Sequence, residues 1–290
     1  MASSGLTAGG AAHGHPRLRL LGLLSLPGLW LVVAYLGSLG AMFATAFWTT
    51  DDFTGAVIRT FTTSNFSTLL HDSVYRTIAL RSLEVAAAVT VIDAAVALPI
   101  AFYMAKVARP RVRQAMVVLV LTPLWASYLV KAYAWRVMLG SNGVIGWALH
   151  PFGLNGPGYG VTATTLTLAY LWLPYMILPI YAGLERVPNS MLEASSDLGA
   201  PAGRTFRSVV MPLLYPAIVA GSIFTFSLSL GDYIAVKIVG GASQLFANVI
   251  YDNVITANNL PFAAAAATFP VVTIILYLSA VRRTGALDNL

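Results

Sequence analysis

Four ionisable side chains stand where ionisable side chains are expensive. Glu84, Asp93, Lys131 and Asp232 each lie within, or at the end of, a stretch otherwise built from aliphatic, aromatic and small residues. At the centre of a membrane-spanning helix such a group costs about 2.5–3.5 kcal/mol on insertion scales, so each is a candidate functional residue. Glu84 and Asp93 are nine positions apart. At about 100° per residue they face opposite sides of a helix and form no common site. Glu84 falls at a helix end, within reach of water. Asp93 and Lys131 lie roughly 15 Å and 12 Å below the same end of two adjoining helices, at about 1.5 Å per residue. They either meet as a buried ion pair, or Asp93 faces a cation pathway. Asp232 follows Ser227-x-Ser229-x-Gly231. A glycine there can break the helix and open a polar patch, as at the sites of discontinuous helices; otherwise Asp232 is an ordinary loop-end carboxylate. Aromatic rings crowd the same region: Trp125, Tyr128, Tyr133, Trp135, Trp172 and Tyr175. Rings at such positions pack or form interfacial belts, and some can line a path for ammonium groups by cation–π attraction. The pathway candidates are therefore Asp93, Asp232, Tyr128, Trp135, Trp172 and Tyr175.

Other chemistry is missing. There is no cysteine, which removes disulfides, thiolate metal sites and cysteine nucleophiles. The G-x-x-x-x-G-K-[ST] phosphate loop, H-E-x-x-H and G-x-S-x-G are absent, so the chain is not expected to hydrolyse nucleotide or to carry a metal or cofactor. His13, His15, His71 and His150 are scattered over a tail and loops. An intramembrane enzyme would lack a catalytic set.

The elements that hold these residues are read from hydropathy. Hydrophobic types make up 58% of the 290 residues and charged types 10%, far from the balance of a soluble domain. The expectation is an all-α, polytopic membrane protein of six helices. The apolar stretches are 20–48, 83–105, 115–139, 161–185, 213–238 and 262–281, each near the roughly 20 residues needed to span. The first is too long for a cleaved signal peptide. Residues 1–19 read as a disordered tail, 20–285 as the membrane domain and 286–290 as a short tail. The net charge of +6 matters less than its placement. Arg17, Arg19, Lys106, Arg109, Arg111, Arg113, Arg186, Arg204, Arg207, Arg282 and Arg283 fall on one side; the opposite loops hold Arg59, Arg76 and Arg81. This asymmetry puts both termini in the cytoplasm, and the lipid bilayer rather than nucleic acid is the partner it implies. Pro99, Pro123, Pro174 and Pro179 lie inside the spans. Each removes a backbone donor, either for packing around kinks or to line a pathway.

The loop between the fourth and fifth spans, residues 186–212, is not simply basic. Ser190-x-x-Glu193 has the spacing of a capping box. A short helix over 191–198 should follow, with Gly199 as its positive-φ terminus and Pro201 opening a second short helix.

With Glu193-Ala194-Ser195, three residues, Gly199, nine residues, Val209, one residue and Met211-Pro212, this loop resembles the EAA signature of the permease subunits of binding-protein-dependent ABC importers. Ser195, Val209 and Met211 are mild departures from alanine, isoleucine and leucine. Leu121-Thr122-Pro123-Leu124-Trp125, Tyr133-Ala134-Trp135-Arg136, Leu173-Pro174-Tyr175, Gly231-Asp232-Tyr233 and Gly240-Gly241 resemble the spermidine/putrescine branch. Permeases for ferric iron, opines and other solutes share much of that pattern. The resemblance implies a type I importer fold in a bacterial inner membrane and a non-catalytic subunit forming half of a solute pathway. It further implies two separate ATP-binding subunits, a second permease and an extracytoplasmic solute-binding protein. On this resemblance Glu193, Ala194, Ser195, Asp197, Leu198, Gly199 and Ala200 would make the contact with the ATPase. A self-sufficient secondary transporter is the alternative; it leaves the EAA loop unexplained, and no convincing inverted repeat is visible.

Overall fold

The computed structural model describes residues 16–51 and 54–283. The expected tails therefore lie outside the described residues, apart from positions 16–19, which form the first turn of a helix rather than disordered chain. That helix, α1 (Pro16–Leu31), runs through a wide turn at Val32–Leu36 into α2 (Gly37–Thr45). Large apolar side chains from Leu24 to Leu36 are exposed, as suits a lipid-facing rod. The rod meets the body at its far end, where Met42 and Ala46 pack on Ala264 and Ala265.

A small hairpin follows, the one departure from an all-helical chain among the described residues. Thr49–Thr50 and Val57–Ile58 pair antiparallel. Asn65, at the start of α3 (Ser64–His71), donates from Nδ2 to the carbonyls of Ala46 and Trp48, each at 2.9 Å, and so closes the exit of α2.

Helix α4 (Ser73–Phe102) begins where the Asp72 carboxylate accepts from the Val74 amide at 2.8 Å. It starts ten residues before the expected span, so Glu84 lies on an exposed flank three turns inside the helix rather than at its end. The helix ends in a wide turn at Tyr103–Val107, and the residue before Pro110 is extended, as proline demands.

The expected continuous span 115–139 is divided. Helix α5 (Pro110–Trp125) and α6 (Tyr128–Leu139) meet across extended Ala126 and Ser127, and the chain bends there by 96°. Pro123 weakens the last turn of α5 by removing a donor. The carbonyls freed at the break need new partners, and Lys131 Nζ donates to the Pro123 carbonyl at 2.9 Å. After α7 (Val144–Leu149), α8 (Val161–Arg186) runs unbroken through Pro174 and Pro179.

Two short helices, α9 (Asn189–Asp197) and α10 (Ala202–Thr205), lead by a second wide turn, Phe206–Val210, into α11 (Met211–Gly231). The expected span 213–238 is divided as well: α11 stops at Gly231, and α12 (Ile234–Val239) starts afresh. Helices α13 (Phe246–Ile255) and α14 (Leu260–Arg283) complete the chain. Among the described residues five helices are long and apolar enough to cross a membrane, or six if bent α5–α6 counts as one.

Helices α4, α8 and α11 form the centre. Ala97, Ala101, Met176, Ile180, Leu184 and Leu214 make its main apolar cluster. The approach of α8 to α11 depends on Gly221. A Cβ there would stand 2.6 Å from Met176 Sδ and 3.2 Å from Met176 Cα, so the backbones touch where glycine leaves room. By the order of the elements, one end of the bundle carries the basic loops 103–110 and 187–210, and the other carries the hairpin, α3, α7 and α13.

Candidate functional site

Two places gather the residues singled out from the sequence. The first is an open cleft of about 300 Å³ at the end of α11 away from the basic loops, lined by Tyr128, Trp172, Ser227, Gly231, Asp232 and Tyr233 among others. It exists because α5–α6 and α11–α12 both break at this level. Asp232 is 8% exposed. One of its oxygens, Oδ1, accepts from the Ala235 amide at 2.9 Å and so caps the first turn of α12; the other accepts from the Tyr128 hydroxyl. The carboxylate is thus both a helix cap and a wall of the cleft. A carboxylate has about four lone-pair sites, so two donors leave acceptor capacity for a cation.

An aromatic file leads from this point into the bundle. Tyr128 and Trp172 have ring centroids 6.0 Å apart, Trp172 and Tyr175 5.9 Å, and Tyr175 and Phe224 6.3 Å. Trp172 Nε1 and the neighbouring helix's Ser229 Oγ are buried without a hydrogen-bond partner. Trp135 stands apart. It packs against Tyr170 at 5.5 Å and on the cluster of Ala132, Leu139 and Ile238, so it supports the wall rather than lining the cleft. The Arg136 guanidinium donates to the Ile238 carbonyl and holds α6 against α12.

Asp93 is not in the cleft. It is 1% exposed, one turn from Val89, which packs on Leu168 and Leu171, and one turn from Ala97, which packs with Met176. Neither carboxylate oxygen has a partner. The ion pair with Lys131, one of the two readings of the sequence, is not formed: Lys131 turns back to the α5 break, and no ion pair joins the two among the described residues. The 96° bend carries Lys131 away from the depth a straight helix would have given it.

Tyr233 was not singled out from the sequence, although Gly231-Asp232-Tyr233 was. It stacks on Tyr251 of α13 at 4.6 Å, and Asn248 Nδ2 donates to its carbonyl at 3.1 Å. Beside it Lys237 Nζ pairs with Asp252 at 2.5 Å and lies 4.1 Å from the Tyr251 ring. No local sequence signal joins α12 to α13 in this way.

The second place is the loop at the basic end. Helix α9 starts at Asn189, two residues ahead of expectation, and Ser190 therefore sits inside the first turn. The Ser190–Glu193 capping box is not made; no side chain of the helix caps its start. The other terminus is as expected. Gly199 has φ +77°, the Gly199 amide donates to Ser196 O at 2.8 Å and the Ala200 amide to Ser195 O at 3.1 Å. These are the paired bonds of a glycine-terminated helix. Leu192 and Phe206 anchor the loop on the core, and Phe206 meets Phe102 edge-on at 6.0 Å. Ser195, where the EAA pattern has alanine, exchanges a hydrogen bond with Thr205 at 2.8 Å and so ties α9 to α10. Glu193, Ala194, Asp197 and Gly199 are exposed, Ala200 is half-buried, and the apolar Leu198 is 88% exposed at the tip.

Residues 97–283, which include both places, match the family described as binding-protein-dependent transport system inner membrane component. The chain belongs to this family. It is a multi-pass inner-membrane permease of the ABC importer type. The permease is 42% identical over 291 residues to the inner membrane ABC transporter permease protein YdcU of Escherichia coli (strain K12), covering 95% of this chain and 93% of that one. It is 30% identical over 266 residues to the spermidine/putrescine transport system permease protein PotB of the same organism, covering 90% and 95%. Among solved structures it superposes on a bacterial ABC transporter involved in the import of the acidic polysaccharide alginate, with a TM-score of 0.65 over 92% of this permease and 96% of that chain. A bacterial alginate ABC transporter in complex with alginate pentasaccharide-bound periplasmic protein gives 0.69 over 90% and 92%. These two are 16% and 15% identical, and they establish the fold alone.

Proposed function

We propose that this permease forms half of a polyamine pathway, with the Asp232 cleft as a station for an ammonium group. The observation that carries the proposal is the cleft itself: a buried carboxylate with spare acceptor capacity, facing the Tyr128–Trp172–Tyr175 file. A polyamine is a string of ammonium groups on methylene spacers. A carboxylate replaces part of the hydration of one charge, and ring faces accept the next by cation–π attraction. Such a station must bind weakly enough to release its cargo. The spermidine/putrescine designation of a relative at 30% identity supports the same chemistry.

In this reading the basic end is cytoplasmic, by the lysine and arginine asymmetry. The tip of α9, with Glu193, Ala194, Asp197, Leu198 and Gly199, docks on a separate ATP-hydrolysing subunit. A second permease supplies the other half of the pathway, two ATPases drive it, and a solute-binding protein delivers the cargo from outside. Uptake of labelled spermidine and putrescine by the reconstituted complex tests the proposal. Asp232→Asn should lower uptake by about tenfold, as expected for loss of a hydrogen-bonded charge, with complex yield unchanged. Full uptake by a well-assembled Asp232→Asn complex removes the residue from the pathway. Uptake of neither amine by the parent complex removes the polyamine reading.

A further inference from the structure

At the basic end, the wide turn that closes α4 has an unusual set of partners. Lys106 lies within this turn, Tyr103–Val107. Its ammonium leaves α4 altogether: Nζ donates to the Val187 carbonyl at 2.6 Å and to Asn189 Oδ1 at 3.1 Å. Val187 is the residue that ends α8, and Asn189 is the first residue of α9. A single side chain thus bridges the end of α4, the end of α8 and the start of α9. Arg113, one turn into α5, completes the joint from the other side. It donates to the Met104 and Ala105 carbonyls at 3.1 Å each, and its Nη1 lies 3.6 Å from Glu185 Oε1 of α8. The Tyr181 hydroxyl holds the same Glu185 oxygen at 2.5 Å. Wide turns of this type are scarce and recur at functional positions. Here the turn presents Lys106 to the α8–α9 junction while its carbonyls receive Arg113.

We propose that Lys106 is the positioning residue that transmits displacement of α9 to α4. This rests on the reading of α9 as the helix that meets the ATPase. Helix α9 is anchored to the bundle in its first half by Leu192 and farther along by the Ser195–Thr205 bond to α10. At its start no side chain of its own loop caps it. Lys106 reaches that end as a donor, to the Val187 carbonyl and Asn189 Oδ1, and does so from the helix that packs along both α8 and α11. A push on α9 therefore reaches α4 directly through the Asn189 bond to a charged donor, and through the Val187 bond at the α8–α9 junction, as well as through the chain connection to α8. Asn189, though exposed, matters as the acceptor at the junction.

The chain has no cysteine, which makes single-cysteine reporters clean. Ser227→Cys places a thiol in the cleft, and its maleimide labelling rate in the assembled complex, with and without ATP and vanadate, reads the movement of the bundle. Lys106→Met should leave ATP hydrolysis in place and reduce the nucleotide-dependent change in labelling by about tenfold. That corresponds to about 1.4 kcal/mol, close to the lower bound for a hydrogen bond to a charged group. Lys106→Arg should restore part of the response, since it keeps the charge and the reach. Asn189→Ala should show a smaller loss in the same direction, and it serves as the test if Lys106→Met does not assemble. A parental response in Lys106→Met, or in Asn189→Ala where the lysine variant fails to assemble, overturns the proposal; so does a parent that shows no nucleotide response. The underlying reading is checked separately with Ser196→Cys on exposed α9, carrying a short cross-linker. If it never captures the ATPase, the reading of α9 fails; if it does and Lys106→Met is silent, this inference alone fails.

Discussion

Gly199→Val isolates one physical quantity at the loop proposed to meet the ATPase. Gly199 ends α9 at φ +77°, a left-handed conformation. A Cβ built there meets nothing within 4 Å, so the substitution brings no clash. What it brings is backbone strain, about 1–2 kcal/mol for an L-residue in this region, and valine's branching adds to it. A cap destabilised by about 2 kcal/mol shifts its population roughly 30-fold. The Gly199 and Ala200 amides then lose their bonds to Ser196 and Ser195, and the tip bearing Leu198 and Gly199 no longer keeps one shape. The bundle itself is untouched, because the loop is anchored through Leu192 and Phe206. Membrane insertion and melting temperature of the permease should therefore stay near the parental values, while uptake per ATP hydrolysed falls severalfold. Gly203→Ala is the matched control. Gly203 also faces open space, but in α10 and without a positive φ; alanine there should be neutral or stabilising by about 0.4–1 kcal/mol. The assay is solute uptake and phosphate release measured together in proteoliposomes. Parental coupling in Gly199→Val, with the protein correctly inserted, would refute the argument that this loop works through the shape of its glycine cap.

Two further expectations concern the bundle. Because Asp93 and Lys131 do not pair, Asp93→Asn and Lys131→Met should act independently, with a coupling in thermal unfolding of the purified complex within about 0.5 kcal/mol; a buried pair would show several kcal/mol. Gly221→Ala forces a Cβ to 3.2 Å from the Met176 Cα, so it should destabilise by about 1–3 kcal/mol and lower the melting temperature. A melting temperature equal to the parent's would show that α8 and α11 have slack at this crossing.

Much of this permease is decided by short-range chemistry, and that part is legible in the sequence. Apolar stretches near twenty residues long must bury their backbone polar groups in helices, which gave the number of spans. The Gly199 terminus follows from the left-handed conformation open to glycine; the stop at Gly231, inside the expected span 213–238, comes instead with the extended Asp232 that follows it. The EAA spacing made the α9–α10 loop recognisable as a unit. The start of α9 lies two residues ahead of the position the capping box predicts, because the helix begins directly after extended Pro188. That end is also held by Lys106, 81 residues from Val187 in the chain, which donates to the Val187 carbonyl and to Asn189 Oδ1. The third span was read as straight because Pro123 alone does not stop a helix, as Pro174 and Pro179 in unbroken α8 demonstrate. What divides α5 from α6 is the tertiary setting: the ammonium of Lys131 covers a freed carbonyl, and Arg136 ties the second arm to α12. The same bend separates Asp93 from Lys131 and brings Tyr128 to Asp232 across 104 residues. Hydropathy and local hydrogen bonding act over a few residues and so settle which segments are helical. The partners of a buried carboxylate depend on how those helices break and cross, and that is decided by packing between residues far apart in the chain.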